Sequence, residues 1–468
     1  MKGRWRAFLN WALLTAFTAA AGGVAAEDSS TLRATYRGAA DRIVAAAASD
    51  HSAWNRLAEI TDTFGPRLSG SPNLEAALAW AAAEMRRDGL SNVRLEKVMV
   101  PRWVRGEEHA SLVEPFASPL VMAGLGMSVG TPEGGITAEV LVVGSFEELE
   151  ARRSEARERI VLFDFPYVSY GANVKFRMAG ASAAARCGAK AVLIRSVGSP
   201  GLRTAHTGTL LYEADAPAIP AAALSHEDAN RLRRISARGQ RLVVRLEMHA
   251  HREPDAESAN LLAEVPGSTK PEEILLLGCH SDSWDLGTGA MDDGSGCVIV
   301  WEALHLLKRL DLRPRRTIRV VLFVNEENGT RGGHAYLEAH RDELGRHVLA
   351  LEADSGAFHP TGFGFSGSDA VRSIVKAAAA LLAPIGADTV GRGDGGVDVG
   401  PLVRAGAIPE LSLSVDTSRY MRFHHTAADT VESQDPDDLA QCVGAVATMA
   451  YVIADQPDAL PRSPEVSR

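Results

Sequence analysis

ILLLGCHSDSWDLGTGAMDDGSG, residues 274–296, decides the fold. Ile274 to Leu277 have the length and composition of a strand buried on both faces, and they run directly into His280, Asp282, Asp292 and Asp293. The pattern repeats outward from there. Cys297 to Leu307 reads as a helix, Thr317 to Val324 and His347 to Glu352 as strands, Pro409 to Leu413 as a further strand, and Asp435-Pro436 as the cap of a long helix reaching Ala454. Strands alternating with helices predict an α/β fold, a mixed, mostly parallel sheet flanked by helices.

Toward the N-terminus the text changes character. Trp54 to Leu90 reads as helical, with Leu74, Leu78, Ala81 and Met85 on one face, Ser71-Pro72 as a start and Gly89 as a stop. Val93 to Val100 alternates like a strand. From Ile160 to Leu246 a separate module is expected: a strand at Ile160 to Phe163, an alanine-rich helix from Met178 to Cys187, strands at Gly188 to Ile194 and Leu242 to Leu246, then a polar link from His249 to Ser258.

The 468 residues carry 49 basic and 59 acidic side chains, a formal charge of −10. A chain of that sign repels phosphate backbones, which leaves an enzyme or a binding protein as the classes to weigh. Lys2, Arg4 and Arg6 precede an apolar stretch from Ala7 to Ala20, and Val24-Ala25-Ala26 offers a cleavage site before Glu27. Residues 1–26 therefore read as a cleavable signal peptide. Asn10, Thr15 and Gly22-Gly23 interrupt the run and speak against a permanent anchor, so a secreted or periplasmic protein without a membrane attachment is expected. Whether Glu27 to Ser52 is kept or removed stays open. The four cysteines, 187, 279, 297 and 442, form no disulfide framework; Cys279 and Cys297 stand in apolar surroundings and read as buried, inert thiols.

Chemistry gathers where the strands end. One runs into His280 and Asp282 and on to Asp292-Asp293; the next into Asn325-Glu326-Glu327; the third ends at Asp354; the fourth is followed by His424-His425 and Asp429. In open α/β sheets ligands bind beyond the carboxyl ends of the strands, so these groups are placed to converge. Imidazoles and carboxylates without thiolates suit a pair of zinc-like ions, which need a bridging carboxylate, terminal ligands and a free carboxylate to take a proton. Each piece alone is ordinary. Glu326-Glu327, however, interrupt the apolar strand end VVLFV, where two charges are costly without cations.

HSDSWDLGTGAMDDGSG, NEENG, LEADSG and FHHTAADT together resemble the zinc-dependent exopeptidases with co-catalytic metals. The resemblance continues through WEALHLLKRLDLRPRRTIRVVLF, PTGFGFSG and DALPR, and upstream through IVLFDFPYVSYGANVKFRMAGA, so that it spans nearly all of the mature chain. It implies two Zn2+ per chain. His280 and Asp354 would be terminal ligands of one, Glu327 and His425 of the other, and Asp292 would bridge them. Glu326 would be the catalytic base and acid, with Asp282 behind His280 fixing its tautomer, and Asp293 and Asp429 bracing the ligands. His425 is preferred to His424 because it stands four residues before Asp429, as in the family's His-Thr/Ser-x-x-Asp-Thr pattern. The expected organisation is a signal at 1–26, the first part of the peptidase domain at 27–118, an inserted protease-associated domain at 119–250, and the main part of the peptidase domain at 251–468.

The function this implies is a secreted exopeptidase acting on dipeptides or short peptides with free termini, with no nucleic-acid partner and, by family analogy, as a homodimer. The alternatives are an aminopeptidase on longer peptides and a non-catalytic, receptor-like relative of the fold. The complete set of ligand candidates argues against the last.

Overall fold

The computed structural model describes residues 29–393 and 395–462, so the expected signal segment lies outside the described residues. In chain order the strands are β1 (Ser91–Val104), β2 (Glu108–Glu114), β3 (Ser118–Leu120), β4 (Met122–Gly124), β5 (Ile136–Val143), β6 (Ile160–Phe163), β7 (Ala191–Arg195), β8 (Ala221–Leu224), β9 (Val243–Met248), β10 (His251–Val265), β11 (Lys270–His280), β12 (Arg316–Phe323), β13 (His347–Glu352), β14 (Pro360–Ser366), β15 (Thr389–Arg392) and β16 (Glu410–Val415). Among the described residues they form two eight-stranded sheets. The main sheet has the order β1-β10-β12-β11-β13-β16-β14-β15, and its centre, β12-β11-β13-β16, is parallel.

Alternate residues of the central strands serve two cores. Leu275, Leu277, Val320 and Leu322 face the helices Ser29–Ala48, Ser295–Arg309 and Pro436–Ala454, whereas Leu276, Val321 and Phe323 face Tyr336, Leu402 and Val403 on the opposite side. This double cover explains why β11 reads as a continuous apolar run rather than an alternating one. Helix Ser29–Ala48 belongs to the core: Leu32, Tyr36, Ala40, Ile43 and Ala47 are buried, and the Tyr36 hydroxyl donates to the Asp455 carbonyl at 2.9 Å. No described helix is long and apolar enough to cross a membrane.

The second sheet, β3-β2-β9-β5-β6-β7-β8-β4, is likewise covered on both faces, by helix Tyr170–Arg186 and by helix His226–Ala237. It takes in β2 at Glu108–Glu114, on the near side of the expected border at residue 118, because β2 pairs antiparallel with β9 and buries Ala110 and Leu112 beside Leu246.

Two further expectations change. The helical reading of Trp54 to Leu90 breaks before the expected start at Ser71-Pro72: helix Ser52–Glu59 and the turn Ile60–Phe64 end at Gly65, whose φ of 65° a glycine adopts freely, and the helix expected from Ser71-Pro72 then begins at Pro72. The stretch His249 to Ser258 is not a loose link but holds the first half of β10, which pairs with β1 from Val104↔His251 through Val98↔Ser258. Here, in a ribbon of the two strands, β1 buries Val98, Val100 and Trp103 while β10 is exposed along most of its first seven residues, so no apolar alternation marks the β10 side. Trp103 pins the ribbon to the second module by donating its indole N–H to the Ser128 carbonyl at 2.8 Å.

Candidate metal centre

Each proposed ligand sits at the carboxyl end of a main-sheet strand or in the connection that follows it. His280 is the last residue of β11; its Nδ1 lies 2.9 Å from the Asp282 carbonyl oxygen, which leaves Nε2 pointing outward. Nε2 is 3.1 Å from Asp292 Oδ1 and 3.5 Å from Asp354 Oδ1. The other oxygen of Asp292 lies 3.4 Å from His425 Nε2, which is itself 3.0 Å from Glu327 Oε2. Asp292 thus lies between His280 on one oxygen and His425 on the other.

His424 is nearby but placed differently. Its Nε2 is 3.7 Å from Asp292 Oδ2, its ring stacks on His425 with centroids 3.6 Å apart, and among the described residues no ion pair links it to Glu327. The acid and imidazole atoms lie close enough to hold metal in the groups His280-Asp292-Asp354 and Asp292-His424-His425.

The chain's turns set this arrangement. Asn325, with φ 69°, lies in the left-handed region that asparagine tolerates, and turns the backbone out of β12 so that Glu326 and Glu327 leave the strand in succession. Their amides donate to Asp282, at 3.1 Å to Oδ1 and 3.4 Å to Oδ2. Asp429 accepts from the amides of Met291 (2.6 Å) and Asp292 (3.2 Å), and Asp293 from those of His280 (3.1 Å) and Gly296 (3.0 Å).

The role expected of Asp282 is corrected by this geometry. Its carboxylate lies 4.0 Å from His280 Nδ1 and does not hold the ring; its backbone carbonyl does. The carboxylate is drawn the other way by the Ser69 hydroxyl at 2.7 Å and the two glutamate amides.

Electrostatics fits this donor set to cations. Burial, and then the neighbouring Asp292, push Glu327 up to about 7. Glu326 is raised well above the usual carboxylate range by burial and by Glu327, Asp354 and Asp292. Burial works against the imidazolium of His280, but its bonds to Asp292 and Asp354 outweigh that and hold its pKa high. Buried acids crowded in this way strain against one another, and a dication reverses the balance. Glu327 Oε1 and His425 Nδ1 are also buried without a hydrogen-bond partner. Glu326 differs from Glu327 in being partly exposed, at the rim of the group.

Several residues here had no signal in the sequence. Arg67, in the break between helices, is buried and donates to the carbonyls of Ser281 (3.1 Å), Thr288 (2.7 Å) and Gly289 (2.8 Å), fixing the loop between His280 and Asp292. The second module reaches the same place: the Thr207 amide donates to the His425 carbonyl at 2.9 Å, and Tyr170 meets the His424 ring edge-on at 5.1 Å. Trp284 packs against His425 at 5.8 Å. Beside Asp354 a cleft of about 690 Å³, bounded also by His334, Ser355, Val397 and Arg404, opens to solvent.

Comparison with known proteins agrees with this picture. Residues 260–450 match peptidase family M28. Carboxypeptidase Q of Mus musculus is 46% identical over 410 residues, covering 88% of this chain and 87% of that protein, and the Homo sapiens protein of the same name is 44% identical over the same length and coverage. The crystal structure of a peptidase M28 precursor from Shewanella amazonensis superposes with a TM-score of 0.88 at 37% identity, over 92% of this chain and 99% of that one. A zinc aminopeptidase from Bacillus subtilis shares the fold, with a TM-score of 0.64 at 20% identity over 89% and 98% of the two chains. The chain belongs to peptidase family M28 and is a metallo-exopeptidase similar to carboxypeptidase Q.

Proposed function

We propose that this enzyme hydrolyses dipeptides and other short peptides with free termini, outside the cytoplasm, using two zinc ions. His280 and Asp354 would hold one ion, Glu327 and His425 the other, and Asp292 would bridge them. The observation that carries the reading is the split of Asp292, 3.1 Å from His280 through one oxygen and 3.4 Å from His425 through the other. His425 is favoured over His424 because it alone of the two pairs with Glu327 among the described residues.

Bound dications supply Lewis-acid polarisation of the peptide carbonyl and acidify water near neutral pH. The rest is the chain's own work. Glu326, partly exposed beside the ligands and with a raised pKa, takes a proton from the attacking water and returns it to the leaving amine. Asp282 sets the position of Glu326 and Glu327 through their amides, while the Asp282 carbonyl keeps His280 Nε2 turned toward Asp292 and Asp354.

The second module is read as an inserted protease-associated domain that roofs the site. Its contacts with His424 and His425 support this, and a roof limits substrates to short peptides. Export rests on residues 1–26, and the homodimer on the family; N-terminal sequencing and sedimentation read these two separately.

Metal analysis combined with hydrolysis of matched dipeptides, free or blocked at either end, before and after chelation, tests the whole. Two zinc ions per chain and cleavage of the free dipeptide that chelation abolishes are expected. A fully metallated protein that cleaves none of them overturns the reading in favour of the receptor-like alternative.

A further inference from the structure

Cys279 precedes His280 at the end of β11, and Cys297 lies in the first turn of helix Ser295–Arg309. Their sulfur atoms are 3.0 Å apart, and both side chains are buried. A covalent S–S bond measures about 2.05 Å, so an approach of about 1 Å joins them. The other two cysteines are engaged elsewhere: Cys442 donates to the Phe358 carbonyl at 3.2 Å, and Cys187 lies in the second module beside Glu150. Among the four cysteines, the fold brings one pair of sulfurs together.

We propose that Cys279 and Cys297 are joined by a disulfide in the mature enzyme. The residues between them, 280–296, carry His280 and Asp292, two of the five proposed metal ligands, together with Asp282 and Asp293, so the bond closes a loop around that part of the centre. The closure restricts the unfolded chain and ties the strand carrying His280 to the helix that follows Asp292. Two thiols lose two protons and two electrons, and one S–S bond forms. The oxidant is a disulfide, whether of a thiol oxidase or of glutathione; it passes through a mixed disulfide and leaves as two thiols. Both sulfurs are closed to solvent in the folded chain, so the exchange takes place while the chain folds, and the finished bond is then shielded from reductants.

The oxidising surroundings rest on the export reading of residues 1–26, and the test keeps the two apart. Full-length chain, unfolded, reduced and refolded with zinc in a mixture of oxidised and reduced glutathione, is alkylated in denaturant without further reduction. The same labelling is applied to exported protein whose N-terminus has been sequenced. Two of the four thiols react, the unreduced digest holds a peptide pair linking Cys279 to Cys297, and the intact mass is about 2 Da lower than that of the reduced chain. Four reactive thiols in the refolded protein, or a link between other cysteines, overturns the proposal whatever the N-terminus proves to be. As a second measurement, zinc-loaded wild type refolded in the glutathione mixture melts several degrees above zinc-loaded wild type refolded fully reduced, and the double variant Cys279→Ala/Cys297→Ala shows no such difference. Equal differences in both, or none in the wild type, count against the bond.

Discussion

The Thr207 amide donates to the His425 carbonyl at 2.9 Å, a bond between the second module and the loop that ends the candidate metal centre. His425 has φ 58°, a conformation that a bulky side chain adopts only when its neighbours hold it there. Thr207→Pro removes the donor, and Thr207→Ala removes only the hydroxyl that bonds the Gly124 carbonyl. The proline variant is expected to lose about tenfold more kcat/KM than the alanine variant, in line with one lost hydrogen bond at a strained residue. Steady-state kinetics on one dipeptide reads the difference.

Asp282 accepts from both glutamate amides and from Ser69, and a carboxamide cannot replace it at all three places, since an asparagine side chain there would turn its NH2 toward one of the donors. Asp282→Asn should lower metal affinity or activity about 10- to 100-fold, with the fold retained. Isothermal titration of zinc into the stripped variant, beside circular dichroism, separates these.

Base and ligand roles part cleanly under mutation. Glu326→Ala should retain zinc and lose about 10²- to 10⁴-fold in kcat, the span typical of a lost proton-transfer group. Asp292→Ala should lose zinc as well, because it alone faces both imidazoles. Metal content and turnover measured on the same preparations decide; an active Glu326→Ala enzyme would place the base elsewhere.

His347 is buried on the far face of the main sheet, its ring between the Tyr336 hydroxyl (2.9 Å) and the Glu343 carbonyl (3.0 Å), and burial lowers its pKa to about 4. The unfolded chain therefore binds the proton first. Stability is full above the unfolded value of about 6.5 and falls as the pH drops from there toward 4, by at most about 1.4 kcal/mol per unit for this one group. Denaturant unfolding at several pH values should give a shallower slope for His347→Gln than for the wild type across that window.

Helix Ser29–Ala48 contributes its apolar face to the core of the peptidase, and Ile43 is fully buried in it. The mature chain is therefore expected to keep this segment, and Ile43→Ala should cost about 2–5 kcal/mol of stability, the range for emptying such a site. A mature N-terminus beyond Ser52, found by sequencing, would contradict the retention.

The central strands were legible because burial on both faces leaves an unbroken apolar run, as in Ile274 to Leu277, and because charges at such a run's end, like Glu326 and Glu327, have no cheap explanation. The first half of β10 was not, since its own side chains are mostly exposed and the strand is held there by backbone pairing with β1. Arg67 and Ser69 carry no spacing that ties them to residues over two hundred positions away; only the folded chain brings them to Ser281 and Asp282. Asp282 itself was found by position but not by action, because a sequence does not tell a carbonyl from a carboxylate as the partner of an imidazole.

The ribbon of β1 and β10 has a mechanical result. Lacking slack tethers, the second module is joined to the main sheet through paired strands and held again by Trp103, as a cantilever is. If that module roofs the proposed metal ligands, headroom above the reacting bond would be set by the architecture, and longer chains would be turned away with no door to close.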